Sequence, residues 1–283
     1  MQLCVLAWGF TAILGKLITL AALPLVFWRV LIVSLTLLLW PPVWKGLLRM
    51  TRRDLLASLG AGIIVTLHWL AFYGAIKLAN ASVAATCIAL APVFLSILEP
   101  LLSRQPVNPR ELLLAVIAVP GVGLVVGGIP AGMLGGFALG ALAAFLVAIF
   151  GIVNKKLAMR VPALALTAIE MSSGAVFLGL LIPLWPLFGH TLALPEGNDI
   201  FWLLALAWAC TLFPFALALV ALRKLSAFSA QLAVNLEPVY TIALATLFLG
   251  EADDLRWPFY LGVVVILGAV IVHARRPAEK ISV

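Results

Sequence analysis

The sequence predicts an all-α membrane protein, with ten transmembrane helices arranged as two inverted five-helix repeats. Three observations carry that expectation. The chain is 65% hydrophobic and 10% charged over 283 residues, with a mean hydropathy of +1.21, whereas a soluble domain is roughly half apolar and about a quarter charged. Apolar stretches near the length of about 20 residues that a spanning helix needs follow one another ten times, separated by short polar junctions. The two halves read as rough copies of five segments each, and an odd-numbered repeat must enter the membrane the opposite way up from its partner.

Helices are expected at 2–20, 24–43, 55–76, 81–102, 111–128, 134–155, 162–186, 200–222, 226–249 and 257–273. Proline marks the cuts, because it cannot continue a hydrogen-bond ladder. Pro24, Pro41-Pro42, Pro106 with Pro109, Pro130, Pro162, Pro195 and Pro258 all sit at or near junctions. The first segment does not read as a cleavable signal peptide, since it has no basic leader and Lys16 interrupts its apolar run. Ten helices and short loops use up the length, leaving no soluble domain. The repeat units are placed at 1–129 and 130–283. Ala91-Pro92-Val93-Phe94 in the fourth segment matches Glu237-Pro238-Val239-Tyr240 in the ninth. Phe10 to Lys16 likewise parallels Phe150 to Lys156.

The net charge of +7 is a topology signal rather than a nucleic-acid one. Lys45, Arg49, Arg52 and Arg53 follow the second segment, and Arg104 and Arg110 the fourth. Lys155, Lys156 and Arg160 follow the sixth, Arg223 and Lys224 the eighth, and Arg275, Arg276 and Lys280 the last. The alternate loops carry Glu196, Asp199, Glu251, Asp253 and Asp254 instead. The positive-inside rule then puts both termini in the cytoplasm, and a multi-pass protein of the bacterial inner membrane is expected. Cys4, Cys87 and Cys210 lie in apolar segments without CxxC spacing and read as small core residues.

Ionisable and polar groups inside spans are the candidate site, because burying them in lipid is costly. Glu237 leads: it lies mid-span directly before Pro238, which lacks an N–H and frees a carbonyl one turn back. Gln231 and Asn235 are four apart and share a helix face. Asn235 and Glu237 stand about 200° apart around the axis, and Tyr240 and Thr241 lie nearer the Glu237 direction. His68, Trp69 and Phe72 form an aromatic group with one imidazole in the third segment, and Trp8 and Thr11 in the first are similar candidates. Lys16, Arg29 and Lys77 are expected to snorkel at helix ends, and Glu170 to pair with Lys156 or Arg160. Small residues at Gly132, Gly136, Gly140, Ala144 and Ala148, and at Gly123 and Gly127, suit close helix packing. No Walker loop, HExxH or metal-spaced acid pair is present in the sequence. No enzyme activity, catalytic residue, metal or cofactor is therefore expected.

Several of these residues resemble a known family. Ala81-Ser82-Val83-Ala84-Ala85 with Ala91-Pro92-Val93-Phe94, and Asn235-Leu236-Glu237-Pro238-Val239-Tyr240 with Leu249-Gly250-Glu251, look like the two EamA-type repeats of the drug/metabolite transporter superfamily. Trp8-Gly9, Pro24 and Arg29 add to the likeness, which covers essentially the whole chain. The resemblance implies a ten-helix carrier with a cavity lined by its first, third, fourth, sixth, eighth and ninth helices. Members of the superfamily export amino acids and other metabolites or exchange sugar phosphates. The exchangers carry basic residues in the ninth-helix cavity where this chain has Gln231, Asn235 and Glu237, so export of amino acids, aromatic ones included, is the better expectation. The partners expected are a small-molecule substrate and the lipid bilayer, with no nucleic acid, in a monomer or homodimer. Inverted repeats are in keeping with a secondary transporter working by alternating access around a midplane site. The competing reading is a flippase or scramblase for a lipid or lipid-linked intermediate.

The charge pattern sets one test. A cysteine placed at Arg52 is expected to resist an impermeant thiol reagent added to intact cells and to react after permeabilisation; strong labelling from outside reverses the topology.

Overall fold

The computed structural model describes the chain except residues 105, 227–229, 231, 232, 235 and 275–283, and no strand occurs among the described residues. The first half holds α1 (Gln2–Leu17), α2 (Ala22–Leu38), α3 (Pro41–Leu47), α4 (Arg52–Leu78), α5 (Ala81–Ile88), α6 (Ala91–Ser103) and α7 (Pro109–Gly128). The second holds α8 (Leu134–Ala158), α9 (Ala163–Leu181), α10 (Asn198–Ala207), α11 (Phe213–Leu222), α12 (Glu237–Leu249) and α13 (Trp257–Ala274). Among the described residues, five spans are long and apolar enough to cross a bilayer, or up to six with the bent α2–α3 pair counted as one, and shorter apolar helices accompany them. Leu101, Leu180, Leu247 and Val264 on their outer faces are exposed. In a membrane those faces meet lipid, so their exposure carries no penalty.

Local chemistry explains the boundaries. The second segment ends at Leu38 rather than at 43, because Pro41 and Pro42 start a new short helix bent by 91° from α2. Thr51 opens α4: its Oγ1 accepts from the Asp54 N–H (3.1 Å) and donates to Asp54 Oδ2 (2.7 Å). Asn80 opens α5 by accepting from the Val83 N–H (2.9 Å). The fourth segment is broken, since α5 stops before Ala89 and α6 restarts with Pro92 in its first turn. The eighth segment contains a π-helical turn at Trp208–Leu212 ahead of Pro214. Proline at 214 cannot donate to the carbonyl four residues back.

Helix pairings recur with the halves exchanged. α1 packs on α12 as α8 packs on α5 and α6, while α7 pairs with α13 and α2 with α9. That is the pattern of a two-repeat membrane fold. Small residues permit the closest approaches. A Cβ on Gly128 would lie 2.6 Å from Phe259 Cα, and one on Gly136 2.6 Å from Ala79 Cβ. In the fifth segment the close contact falls on Gly121, against Ile266 and Gly262, and not on Gly123 or Gly127, which meet nothing within 4 Å. Gly132 is likewise open, whereas Gly140, Ala144 and Ala148 are packed as the stripe predicts. All three cysteines are buried and free.

Hydrogen bonds sort the loops into two ends. At one end the Arg160 guanidinium stands 3.6 Å from Asp54, and Arg223 donates to the carbonyls of Ala158 (2.9 Å) and Val161 (3.2 Å). Lys155 donates to Leu222 O and Leu225 O at the same end. At the other, both Asp199 carboxylate oxygens accept from the Thr19 N–H (3.0 and 3.1 Å), and Oδ2 also takes the Thr19 hydroxyl (2.6 Å). Glu251 accepts from the N–H groups of Ala81 (3.0 Å) and Ser82 (2.9 Å) and from the Ser82 hydroxyl (2.8 Å). A buried carboxylate thus sits on the positive end of α5. The basic loops therefore share one end and the acidic loops the other.

The α4–α9 contact offers a controlled stability test. A Cβ on Gly62 would lie 2.6 Å from Glu170 Cα, whereas one on Gly60 meets nothing within 4 Å. Gly62→Ala is expected to lose about 1–3 kcal/mol by overpacking, and Gly60→Ala to be neutral or to gain up to ~1 kcal/mol from helix propensity. Thermal melts of both variants in one detergent check the contrast.

Candidate functional site

A cavity of about 930 Å³, counting the part open to solvent, lies between the two halves. Its aromatic wall comes from α4, where His68, Trp69 and Phe72 are buried on successive positions of one face. The ring of His68 stacks with Phe72 at 6.2 Å between centroids. Phe215 on α11 extends the wall, 5.9 Å from Trp69 and 5.6 Å from Phe150 on α8. Trp8 and Thr11 enter from α1, and Ile88 from the end of α5. Met1, Asn154 and Leu222 complete the lining toward the basic end. At the acidic end the clamps on Thr19 and Ser82, with Lys77 donating to Ile18 O (2.6 Å), tie the helices together.

Glu237 lines the cavity, buried, as the first residue of α12. Leu236 precedes it as N-cap and Pro238 follows, so the carboxylate stands at the N-terminus of a half-helix. Unpaired N–H groups there favour negative charge. The corresponding position at the start of α6 is Ala91, so the repeat is chemically asymmetric at its break. His68 is fixed by a 2.8 Å hydrogen bond between Nδ1 and Ala143 O. A carbonyl only accepts, so Nδ1 carries the proton and Nε2 of the neutral ring is left as an acceptor.

Arg29 overturns its expected place at a helix end. It is fully buried in α2 and lines the cavity. Its Nε donates to Thr211 Oγ1 (2.7 Å) and its Nη1 to the Tyr73 hydroxyl (2.8 Å), while Trp69 lies 4.0 Å beneath Cζ. Such a stack adds cation–π attraction, about 2 kcal/mol when desolvated. Nη2 is buried without a hydrogen-bond partner. The π-helical turn creates this arrangement: Thr211 Oγ1 donates to Leu206 O (2.6 Å), five residues back, and accepts from Arg29. Seven residues separate Arg29 from Ala22, about 10 Å along a helix, and that depth was the available signal.

The other expectations sort as follows. Glu237, His68, Trp69, Phe72, Trp8 and Thr11 come together around the cavity. Tyr240 does not line it but packs against α1, where a Cβ on Gly9 would meet the Tyr240 Cβ at 3.0 Å. Its neighbour Thr241 donates to Gly9 O (3.2 Å). Gln231 and Asn235 lie outside the described residues. Glu170 pairs with neither Lys156 nor Arg160: its buried carboxylate lies beside Asn154 with no well-formed hydrogen bond among the described residues, and Arg160 meets Asp54 instead. Asn154, Phe150 and Phe215 escaped sequence reading because asparagine and phenylalanine in an apolar span look like ordinary packing residues.

The Arg29 cluster makes a stability prediction. Tyr73→Phe and Thr211→Val should each cost about 1–3 kcal/mol, because each leaves a buried guanidinium N–H unpaired. Unfolding of the purified variants, compared with wild type at matched detergent, measures the loss.

Comparison with known proteins agrees with this architecture. A solved structure described as "Crystal structure of protein" superposes with a TM-score of 0.68 over 96% of this chain and 93% of that chain, at 17% identity. That likeness establishes the fold. Comparison with curated proteins finds no significant match. The profile of the EamA-like transporter family matches residues 1–127 and again 134–274. With a match of that extent, on a bundle of paired apolar helices around a central cavity, the chain belongs to the EamA-like transporter family.

Proposed function

We propose that this transporter is a secondary carrier exporting amino acids, aromatic ones among them, across the bacterial cytoplasmic membrane by alternating access. One observation carries the reading. A single cavity between the halves combines a buried carboxylate, Glu237, a buried guanidinium, Arg29, and an aromatic wall of Trp69, Phe72 and Phe215. Lipid-facing surfaces need none of these, and charged groups inside a membrane protein belong to substrate or ion paths.

The cycle follows from the fold. The basic loops face the cytoplasm by their charge, so a cavity lined toward the basic end and clamped at the acidic end is the inward-facing state. Substrate reaches Glu237 from the cytoplasm. The two repeats, 1–129 and 130–283, then rock about the midplane. The clamps at Asp199 and Glu251 release as new contacts between the repeats close the inner mouth. The break between α5 and α6 before Ala91 provides a hinge.

Purified protein in liposomes preloaded with phenylalanine is expected to take up labelled phenylalanine saturably by exchange. Glu237→Gln should lower that rate at least about tenfold, the equivalent of one charge-assisted contact. Flux no faster than in empty liposomes rejects the reading. Movement of a fluorescent lipid analogue in the same vesicles, without amino acid flux, replaces it with a lipid flippase.

A further inference from the structure

The unpartnered nitrogen of Arg29 has a consequence for what the cavity accepts. Resting on the carrier reading above, we propose that Arg29 is the anchor for the substrate carboxylate, with Glu237 receiving the ammonium, so that the cavity selects zwitterions over amines and over simple acids.

Nε and Nη1 of Arg29 are held by Thr211 and Tyr73, and the face of the guanidinium lies on Trp69. These three contacts come from α4 and the π-helical turn, and they leave one nitrogen, Nη2, buried and without a hydrogen-bond partner among the described residues. Buried donors are nearly always paired in folded proteins. This one belongs to a fully buried cation on the cavity wall, and Glu237 forms no salt bridge with it among the described residues. A buried guanidinium N–H left unmet is unfavourable even with a carboxylate at longer range in the same cavity. An arriving carboxylate corrects that, since an Arg–carboxylate contact is among the stronger hydrogen bonds a protein makes.

Glu237 supplies the complement from the half-helix terminus across the same cavity. An α-amino acid carries both charges on one carbon. It therefore presents an anion to Arg29 and a cation to Glu237 while its side chain turns to the rings of Trp69, Phe72 and Phe215. An amine leaves Nη2 unpaired, and an acid without the amine leaves Glu237 unpaired. Sites built to bond a substrate group discriminate sharply against analogues lacking it, because the site's own polar groups are then stranded.

The test uses the full chain in nanodiscs with three probes: phenylalanine, phenethylamine and 3-phenylpropionate. Wild type is expected to bind phenylalanine roughly 10- to 100-fold tighter than phenethylamine, the range of one charged hydrogen bond. Arg29→Gln should collapse that preference to near unity, phenylalanine losing its advantage over phenethylamine. A merely structural role lowers both affinities together and keeps their ratio, which overturns the proposal. If Arg29→Gln does not fold, Arg29→Lys, which keeps the charge but not the fork, is measured for the same ratio. Phenethylamine binding wild type as tightly as phenylalanine overturns the anchor, even where amino acid exchange stands. Binding of phenylpropionate alone, lost in the Arg29 variant, rejects the amino acid reading and keeps the anchor. Absence of binding by either carboxylate-bearing probe overturns it.

Discussion

A buried arginine that no carboxylate bonds directly, among the described residues, is the constraint around which this molecule is organised. Arg29 lies wholly inside α2, held by Thr211, Tyr73 and the ring of Trp69. A charge there is tolerable only if its donors are met and its field is answered by rings or dipoles. Meeting them draws α2, α4 and the eighth segment into one cluster. The π-helical turn follows from the same demand, because it points Thr211 at the guanidinium while Thr211 still satisfies Leu206 O. Such turns recur at functional sites because they redirect single side chains without ending a helix.

The rest of the architecture is a set of helix ends closed by side chains. In lipid every backbone group must be satisfied within the protein. The carboxylates of Asp199 and Glu251 meet N–H groups at Thr19, Ala81 and Ser82 from the opposite half of the chain. Each therefore serves two purposes: it completes a terminus, and it fastens one half to the other at the acidic end. At the basic end Lys155 and Arg223 close carbonyls within the second half, and Arg160 beside Asp54 reaches across to the first. Clamps of this kind depend on a few hydrogen bonds each.

The breaks at Ala91 and Glu237 show how one repeat design yields a polar site. Both α6 and α12 begin with a proline in the first turn. Only the second restart carries a carboxylate, set where the helix end favours negative charge. The first restart is apolar and leaves the cavity free for aromatic rings. Asymmetry within the repeat thus gives the site two unlike sides: an ionic side at Arg29 and Glu237, and a stacking side at His68, Phe72 and Phe215.

Helical class, repeat order and the separation of basic from acidic loops were legible in the sequence, because hydropathy period, proline punctuation and loop charge are local quantities. The mid-span residues Glu237, His68, Trp69, Phe72, Trp8 and Thr11 were legible for the same reason: polar or aromatic groups at that depth are costly wherever the chain folds. Tyr240 shows the limit, since its helix face was read correctly as near Glu237 but the close approach of α1 at Gly9 turns it into a packing residue. Arg29 shows the opposite error. Its helix offered a snorkelling route, and only the arrival of Thr211 and Tyr73, 182 and 44 residues away in sequence, made burial cheaper than exposure. Glu251 and Asp199 read as loop charges until helix ends from the other half were brought against them. Sequence determined which segments lie in the membrane and what each must hide. Tertiary structure decided which charged groups find partners, because partnership depends on distances between segments that no local pattern encodes.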